Sequence, residues 1–254
     1  MKMMHKKERW MEAERSAQIH GWDFSPIADS FHEDDRFPWD YRHLIDRYVK
    51  PTHRILDMDT GGGEKLLQLG HDPALTSATE GYPPNVQLCR ETLLPLGIDF
   101  REAEDPAHLP FADGAFDVVL NRHGSYDFGE VRRILKPGGI FLTQQVGDDN
   151  DRELVELVLP GVPNAFPGQN LRVQKRLCEE AGFTVLHAAE AYRHMDFYTM
   201  EAFIWFARVI PWEFAGFSVE ACYDCLLAAE AILHRDGRIR GTVHRYCIAA
   251  RSIS

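Results

Sequence analysis

The sequence predicts an α/β fold built on a parallel sheet with helices on both faces, and three observations lead to it. Short apolar runs alternate with helical stretches from about residue 53 to 146. The first run, Ile55-Leu56-Asp57-Met58, leads through Asp59 and Thr60 into the contiguous glycines Gly61-Gly62-Gly63. The second, Ala74 to Thr79, ends on a carboxylate, Glu80. Such alternation gives right-handed crossovers and places any ligand at the carboxyl ends of the strands.

In chain order, residues 1 to 50 read as an N-terminal extension of helices and loop. Glu8 to His20 has helical composition with Gly21 as its stop, and a second helix follows Phe37-Pro38-Trp39-Asp40-Tyr41 and runs to about Val49. Aromatic side chains at this density must pack on something, either as a plain cover for the sheet or as a lid over the site. Strands are expected near 53–57, 74–79, 98–102, 115–121 and 139–146, with a sixth over 181–186 and a seventh over 241–251. Between the last two lies a helical insertion, about 192–238, rich in aromatics. Its Phe203, Trp205, Phe206 and Trp212 read first as core and second as the wall of an apolar pocket, with Tyr198 and Glu201 as its polar groups. Pro211 ends or kinks the helix there.

Composition narrows the function. The 254 residues carry 28 basic and 39 acidic side chains, a net charge of −11 that disfavours a phosphate backbone as partner. The best basic segment, His234 to Arg245, lacks interleaved aromatics and reads as a solvated hairpin arm turning at Asp236-Gly237. No apolar run approaches the roughly 20 residues that span a bilayer, and the basic start leads into a charged stretch, so a cytoplasmic protein with no membrane role is expected. Five scattered cysteines suit a reducing compartment. Cys222 and Cys225 form a C-x-x-C pair, but they lack two partners at zinc-module spacing and read as one buried helix face, so no metal is expected.

The glycine turn offers backbone N–H groups to a nucleotide-like cofactor, and Glu80, about 20 residues on, suits both hydroxyls of a ribose. A nicotinamide site would ask for G-x-G-x-x-G, which these contiguous glycines do not match. Two further motifs follow: Asp105-Pro106-Ala107-His108-Leu109-Pro110-Phe111-Ala112-Asp113-Gly114-Ala115-Phe116-Asp117-Val118-Val119, and Arg133-Ile134-Leu135-Lys136-Pro137-Gly138-Gly139. With the turn and Glu80, they make residues 50 to 146 resemble the class I S-adenosylmethionine (SAM) dependent methyltransferases of the small-molecule, type 11-like group.

The resemblance implies a Rossmann-like seven-stranded sheet whose last strand is antiparallel, the cofactor S-adenosyl-L-methionine, and a domain over 51–254 that carries the insertion. It places the methionine and ribose bed on Asp57, Asp59, Thr60, Gly61, Gly62 and Gly63, the ribose diol on Glu80 with Gly81 beside it, and the adenine against Tyr82, Asp105 and Pro106. Asn121, Arg122 and His123 would face the substrate, with Asn121 also near the cofactor. Asp59 departs from the family's usual glycine. It reads as a cap for the following helix, or else as added negative potential near the cationic cofactor.

A sulfonium methyl is already activated, so the enzyme mainly aligns a lone pair and excludes water. If the acceptor arrives protonated, His123 is the natural base, with Asn121 and Tyr126 as orienting alternatives; otherwise His123 only packs at a strand end. Methyl transfer to a small, partly apolar molecule is the expected function. The alternatives are RNA or tRNA methylation and a SAM-binding sensor or activator subunit without turnover. The sequence leaves the number of subunits open.

Overall fold

A computed structural model describes residues 2–18 and 23–253. Its helices are α1 (Lys2–Ser16), α2 (Tyr41–Tyr48), α3 (Glu64–Leu67), α4 (Pro83–Thr92), α5 (Phe128–Ile134), α6 (Arg152–Val158), α7 (Leu171–Glu180), α8 (Met200–Val209) and α9 (Tyr223–Asp236). Its strands are β1 (Phe31–Glu33), β2 (Ile55–Met58), β3 (Thr76–Glu80), β4 (Asp99–Glu102), β5 (Phe116–Arg122), β6 (Leu135–Val146), β7 (Phe183–Phe197) and β8 (Ile239–Ser252). The expected stop of the first helix at Gly21, and Trp22 after it, lie outside the described residues.

The strands form one mixed sheet in the order β1-β7-β8-β6-β5-β2-β3-β4. β2 pairs in parallel with both β3 and β5, and β5 with β6, whereas β8 runs antiparallel to β6. The fold class is as expected, with one strand more than seven. The eighth is β1, from the N-terminal segment, which pairs antiparallel with β7 through Phe31 and Phe197. β6 starts earlier than 139 because Leu135 already pairs with Phe116 before a register shift.

The chain divides into two compact units. The second comprises Phe37–Gly147, Gly168–Ala191 and Arg245–Ser254 and holds most of the parallel sheet. Period-2 alternation splits its core into two layers. Ile55, Val118, Leu120, Ile140, Leu142, Cys247 and Ala249 face one way and meet Leu44 and Ile45 of α2, Leu66 of α3, and Val86 and Cys89 of α4. Leu56, Val119, Phe141, Tyr246 and Ile248 face the other way and meet Val131 and Ile134 of α5 and Cys178 of α7. Side chains at Asp40, Asp127 and Asn170 accept from backbone N–H groups at the starts of α2, α5 and α7. The 1–50 extension is shared out: 37–50, with α2, belongs to this unit, and 1–36 to the other.

The first unit comprises Met1–Arg36, Asp148–Pro167 and Tyr192–His244. Here α1 packs on α8, and α6 on α9. Phe203, Trp205 and Phe206 of α8 are buried, with Trp205 and Phe206 against Phe24, and Phe206 also against Phe31, Phe197 and Phe214. Phe203 and Phe206 are core, whereas Trp205, itself 5% exposed, also borders a cleft that Glu201 and Arg9 line; Trp212 and Tyr198 remain exposed. The Asp236-Gly237 pair is a helix end, not a hairpin turn: Gly237 takes φ 72° and donates to the Leu233 carbonyl, closing α9. Cys222 is buried just before α9 and Cys225 is half-buried within it. No helix among the described residues is long and apolar enough to cross a membrane.

Phe141, fully buried at the centre of the second layer, should be costly to truncate. Phe141→Ala is expected to lower unfolding free energy by about 3–5 kcal/mol in urea titrations.

Candidate active site

β2 lies between β3 and β5, so the chain leaves the sheet centre in opposite directions and opens a crevice at the carboxyl ends of these strands. Asp57, Met58 and Asp59 bring the chain to that edge, with Met58 level with Asn121 of β5. Thr60 then donates its backbone N–H to the Thr79 carbonyl at 3.0 Å and its hydroxyl to Asp57 Oδ2 at 2.7 Å. Gly61 takes φ 67°, and a Cβ built there would meet nothing within 4 Å, so the turn faces open space.

Glu80, 5% exposed, ties this turn to the next one. Its Oε2 accepts from the Gly61 N–H at 2.8 Å, and its Oε1 accepts from the N–H groups of Gly81 and Tyr82, both at 2.9 Å. The Asn85 side-chain amide stands 3.5 Å from Oε2. One carboxylate thus organises the loops after both β2 and β3.

Asp59 sits in left-handed backbone, φ 52°, which Asp tolerates better than most residues. It does not cap α3, whose N-cap is Gly63 without a side-chain bond. Instead its carboxylate accepts from the Ser125 N–H in the loop after β5. That approach requires Gly124, where any Cβ would collide with the Asp59 side chain. Sequence reasoning passed over Gly124, and only the spatial meeting of two loops reveals its role.

Negative charge accumulates here. Burial pushes the Asp57 carboxyl up to about 6, with Asp59 and Glu80 adding repulsion and the Thr60 hydroxyl opposing it. Burial and then Glu80 raise Asp59 to about 6 as well, against the Ser125 N–H. A site of this kind favours a cation.

The remaining sequence-derived residues divide into three groups. Asp105 is exposed and accepts from the Ala107 N–H at 2.9 Å, with the His108 ring 2.7 Å away; Pro106 is half-buried and Tyr82 is 58% exposed. His123 stands at the end of β5 in left-handed backbone, φ 64°, its N–H bonded to the Gln144 carbonyl at 2.8 Å. Burial, followed by Arg245 and Arg122, holds its ring well below the ordinary histidine pKa, so it is neutral at neutral pH. Asn121 is fully buried, and its Oδ1 accepts from Thr143 Oγ1 at 3.1 Å and Gln145 Nε2 at 2.5 Å. Tyr126 packs on Phe128 and Phe141, and its hydroxyl donates to Gln174 Oε1 at 3.2 Å. It is tied into the α7 side of the core.

Four polar groups under the site escaped the sequence reading. Trp39 Nε1 donates to Gln144 Oε1 at 2.8 Å, and Tyr41 OH reaches the Asn121 and Leu142 carbonyls at 2.9 and 3.1 Å. Gln145 Nε2 also donates to the Gly124 carbonyl at 3.0 Å and thereby holds the loop that meets Asp59. The available signal was the pair Gln144-Gln145 inside an otherwise apolar strand, since buried amides must find partners.

Comparison with known proteins identifies the family. Residues 56–143 match a family model described as a methyltransferase domain. A demethylmenaquinone methyltransferase from Thermus thermophilus is 31% identical over 208 residues, covering 77% of this chain and 87% of that protein. The chain belongs to the class I SAM-dependent methyltransferases. A phthiotriol/phenolphthiotriol dimycocerosates methyltransferase from Mycobacterium tuberculosis is 32% identical over 110 residues, 41% of this chain and 40% of that one; the chain thus spans about two-fifths of that relative. A solved structure of a functionally unknown protein from Deinococcus radiodurans covers 99% of this chain and 100% of its own, with a TM-score of 0.60 and 14% identity, and so shares the fold.

The cofactor of this methyltransferase is S-adenosyl-L-methionine. The residues present suit it: carboxylates for a sulfonium and an ammonium, and unfilled space over Gly61. Outside this site, among the described residues, Asp148, Asp149 and His244 of the first unit stand at metal-ligand proximity. There the His244 Nδ1 already accepts from the Asp149 N–H at 3.2 Å, and the Tyr192 hydroxyl donates to Asp149 at 3.0 Å.

The raised carboxyls have a stability signature. Because the folded pKa values of Asp57 and Asp59 exceed the unfolded value of 3.8, their contribution is complete below about pH 4 and is lost as pH rises through 6. In the cofactor-free protein, Asp59→Asn should flatten this decline by about 1–2 kcal/mol, as read from urea midpoints at pH 5 and 7.5.

Proposed function

We propose that this methyltransferase acts on a small, partly apolar molecule and holds SAM over the Asp57–Gly63 turn, with Glu80 at the ribose. In this reading Asp57 and Asp59 face the cationic end of the cofactor, and the segment after Glu80 (Gly81, Tyr82, Asp105 and Pro106) borders the adenine. His123 and Asn121 mark the acceptor side. The cofactor supplies an activated methyl group, so the protein's work is to align the acceptor and keep water out.

The observation that carries the acceptor class is the match along most of the chain to an enzyme named for demethylmenaquinone, joined by relatives named for phthiotriols. Charge supports it. In the basic segment His234–Arg245, three of the four arginines are spent within the first unit: Arg235 pairs with Asp236, and Arg238 and Arg240 both pair with the buried Asp196. That leaves little of a cationic stripe for RNA. Of the N-terminal extension, residues 37–41 are anchored next to β5 and β6 through the polar tips of Trp39 and Tyr41.

The test is to incubate the purified protein and methyl-labelled SAM with a cell extract separated into metabolite, RNA and protein fractions. Label is expected in the metabolite fraction, in a compound that partitions into organic solvent. Label confined to RNA would overturn the acceptor class. Bound SAM with no label in any fraction would indicate a sensor or activator subunit.

A further inference from the structure

We propose that Trp39 and Gln144 lock His123 as the neutral tautomer protonated on Nδ1, so that it meets an oxygen of the methyl acceptor as a hydrogen-bond donor and not as a base. The acceptor side of this inference rests on the small-molecule reading above; the tautomer does not.

An indole N–H only donates. Trp39 Nε1 lies 2.8 Å from one terminal atom of the Gln144 amide in a buried setting, so that atom must be the oxygen. The other terminal atom is then the NH2 group, which only donates. It stands 3.3 Å from His123 Nε2, which must therefore be the lone-pair nitrogen. A neutral imidazole with its lone pair on Nε2 carries its proton on Nδ1. Turning the amide over would set N–H against N–H at Trp39, where the indole can only donate.

The backbone secures the same geometry. His123 holds φ 64°, and its N–H is bonded to the carbonyl of Gln144, the residue whose side chain reads the ring. Nδ1 makes no hydrogen bond among the described residues. The charged groups that act on the ring are Arg122 on β5 and Arg245 on β8, both cations; Gln144 on β6 and Trp39 before α2 are neutral. Burial and the two arginines oppose an imidazolium, so His123 is a poor place to leave a proton. As a donor through Nδ1 it needs no change of protonation.

A ring N–H fixed in this way favours an acceptor whose oxygen lies beside or at the methylated atom and which ionises without an enzyme base, such as a phenol or an enol. The acceptor's proton leaves to water first. Its electron pair then forms the bond to the methyl carbon, and the S–CH3 bond breaks with its pair passing to sulfur, giving neutral S-adenosylhomocysteine. His123 steadies the oxygen throughout and ends the turnover with the proton it began with.

The test begins with the full-length protein labelled with 15N-histidine and saturated with SAM, using two-bond proton–nitrogen correlation spectra at about pH 7.5. His123→Gln identifies the signal. The expected pattern is a protonated Nδ1 with a bare Nε2. Gln144→Glu, whose carboxylate still accepts from Trp39 but now also accepts from the ring, should switch His123 to the Nε2–H form, and Trp39→Phe should give a mixture. An Nε2–H or imidazolium pattern in the unmodified protein would overturn the proposal. On the acceptor found by labelling, kcat of the unmodified enzyme should show no histidine limb between about pH 6 and 8, while Gln144→Glu should lose on the order of 100-fold in kcat, most at high pH. A limb rising with pH that vanishes in His123→Gln would make His123 a base and refute the donor role. If labelling finds RNA, the acceptor reading fails while the tautomer still stands or falls on its spectrum.

Discussion

The Glu80 carboxylate is the constraint on which the site depends. It is buried at the end of β3 and accepts N–H groups from Gly61 in one loop and from Gly81 and Tyr82 in the next. A buried carboxylate is expensive unless such donors surround it. Once they do, the two loops at the switch point cannot move independently. Asp57 and Asp59 are then held close to the same charge, and burial with mutual repulsion lifts both toward 6. The cofactor-free site is therefore strained electrostatically in the one direction that a sulfonium and an ammonium would relieve.

A second layer of polar order lies beneath the first. Gln145 bonds to Asn121, Thr143 and the Gly124 carbonyl, while Gln144 bridges Trp39 and His123. Gly124 lets the loop after β5 approach Asp59 closely enough for the Ser125 N–H to reach it. The His123 end of β5 and the loop that meets Asp59 are thus held from one buried strand, β6. Function of this kind lives in the site and not in the fold, which many unrelated activities share.

Much of this was legible in the chain. The strand and helix alternation and Glu80 as the residue that closes β3 follow from period, glycine placement and spacing, because local physics fixes them, whereas the antiparallel last strand came only with the family resemblance. What was not legible depends on contacts between segments far apart in sequence. Asp59 looked like a cap, but its partner is Ser125 in a loop more than sixty residues away. Tyr126 looked like an orienting group, yet α7 and the aromatic layer claim it. The aromatics of α8 turned inward because Phe24, Phe31 and Phe197 were available to pack on them. His123 carries the same letter whether it is a base or a donor, and only Gln144 and Trp39 decide which.

If the raised carboxyls of Asp57 and Asp59 receive the cationic cofactor, protons must leave as it binds. Calorimetric titration of SAM near pH 5.5, repeated in buffers of differing ionisation enthalpy, measures the protons exchanged on binding. A net release approaching about one proton is expected as Asp57 and Asp59 ionise against the sulfonium and ammonium, fading by about pH 8. A smaller release is expected for S-adenosylhomocysteine, whose sulfur is neutral. Binding with no proton release at pH 5.5, or equal release for both ligands, would contradict this role of the two carboxyls.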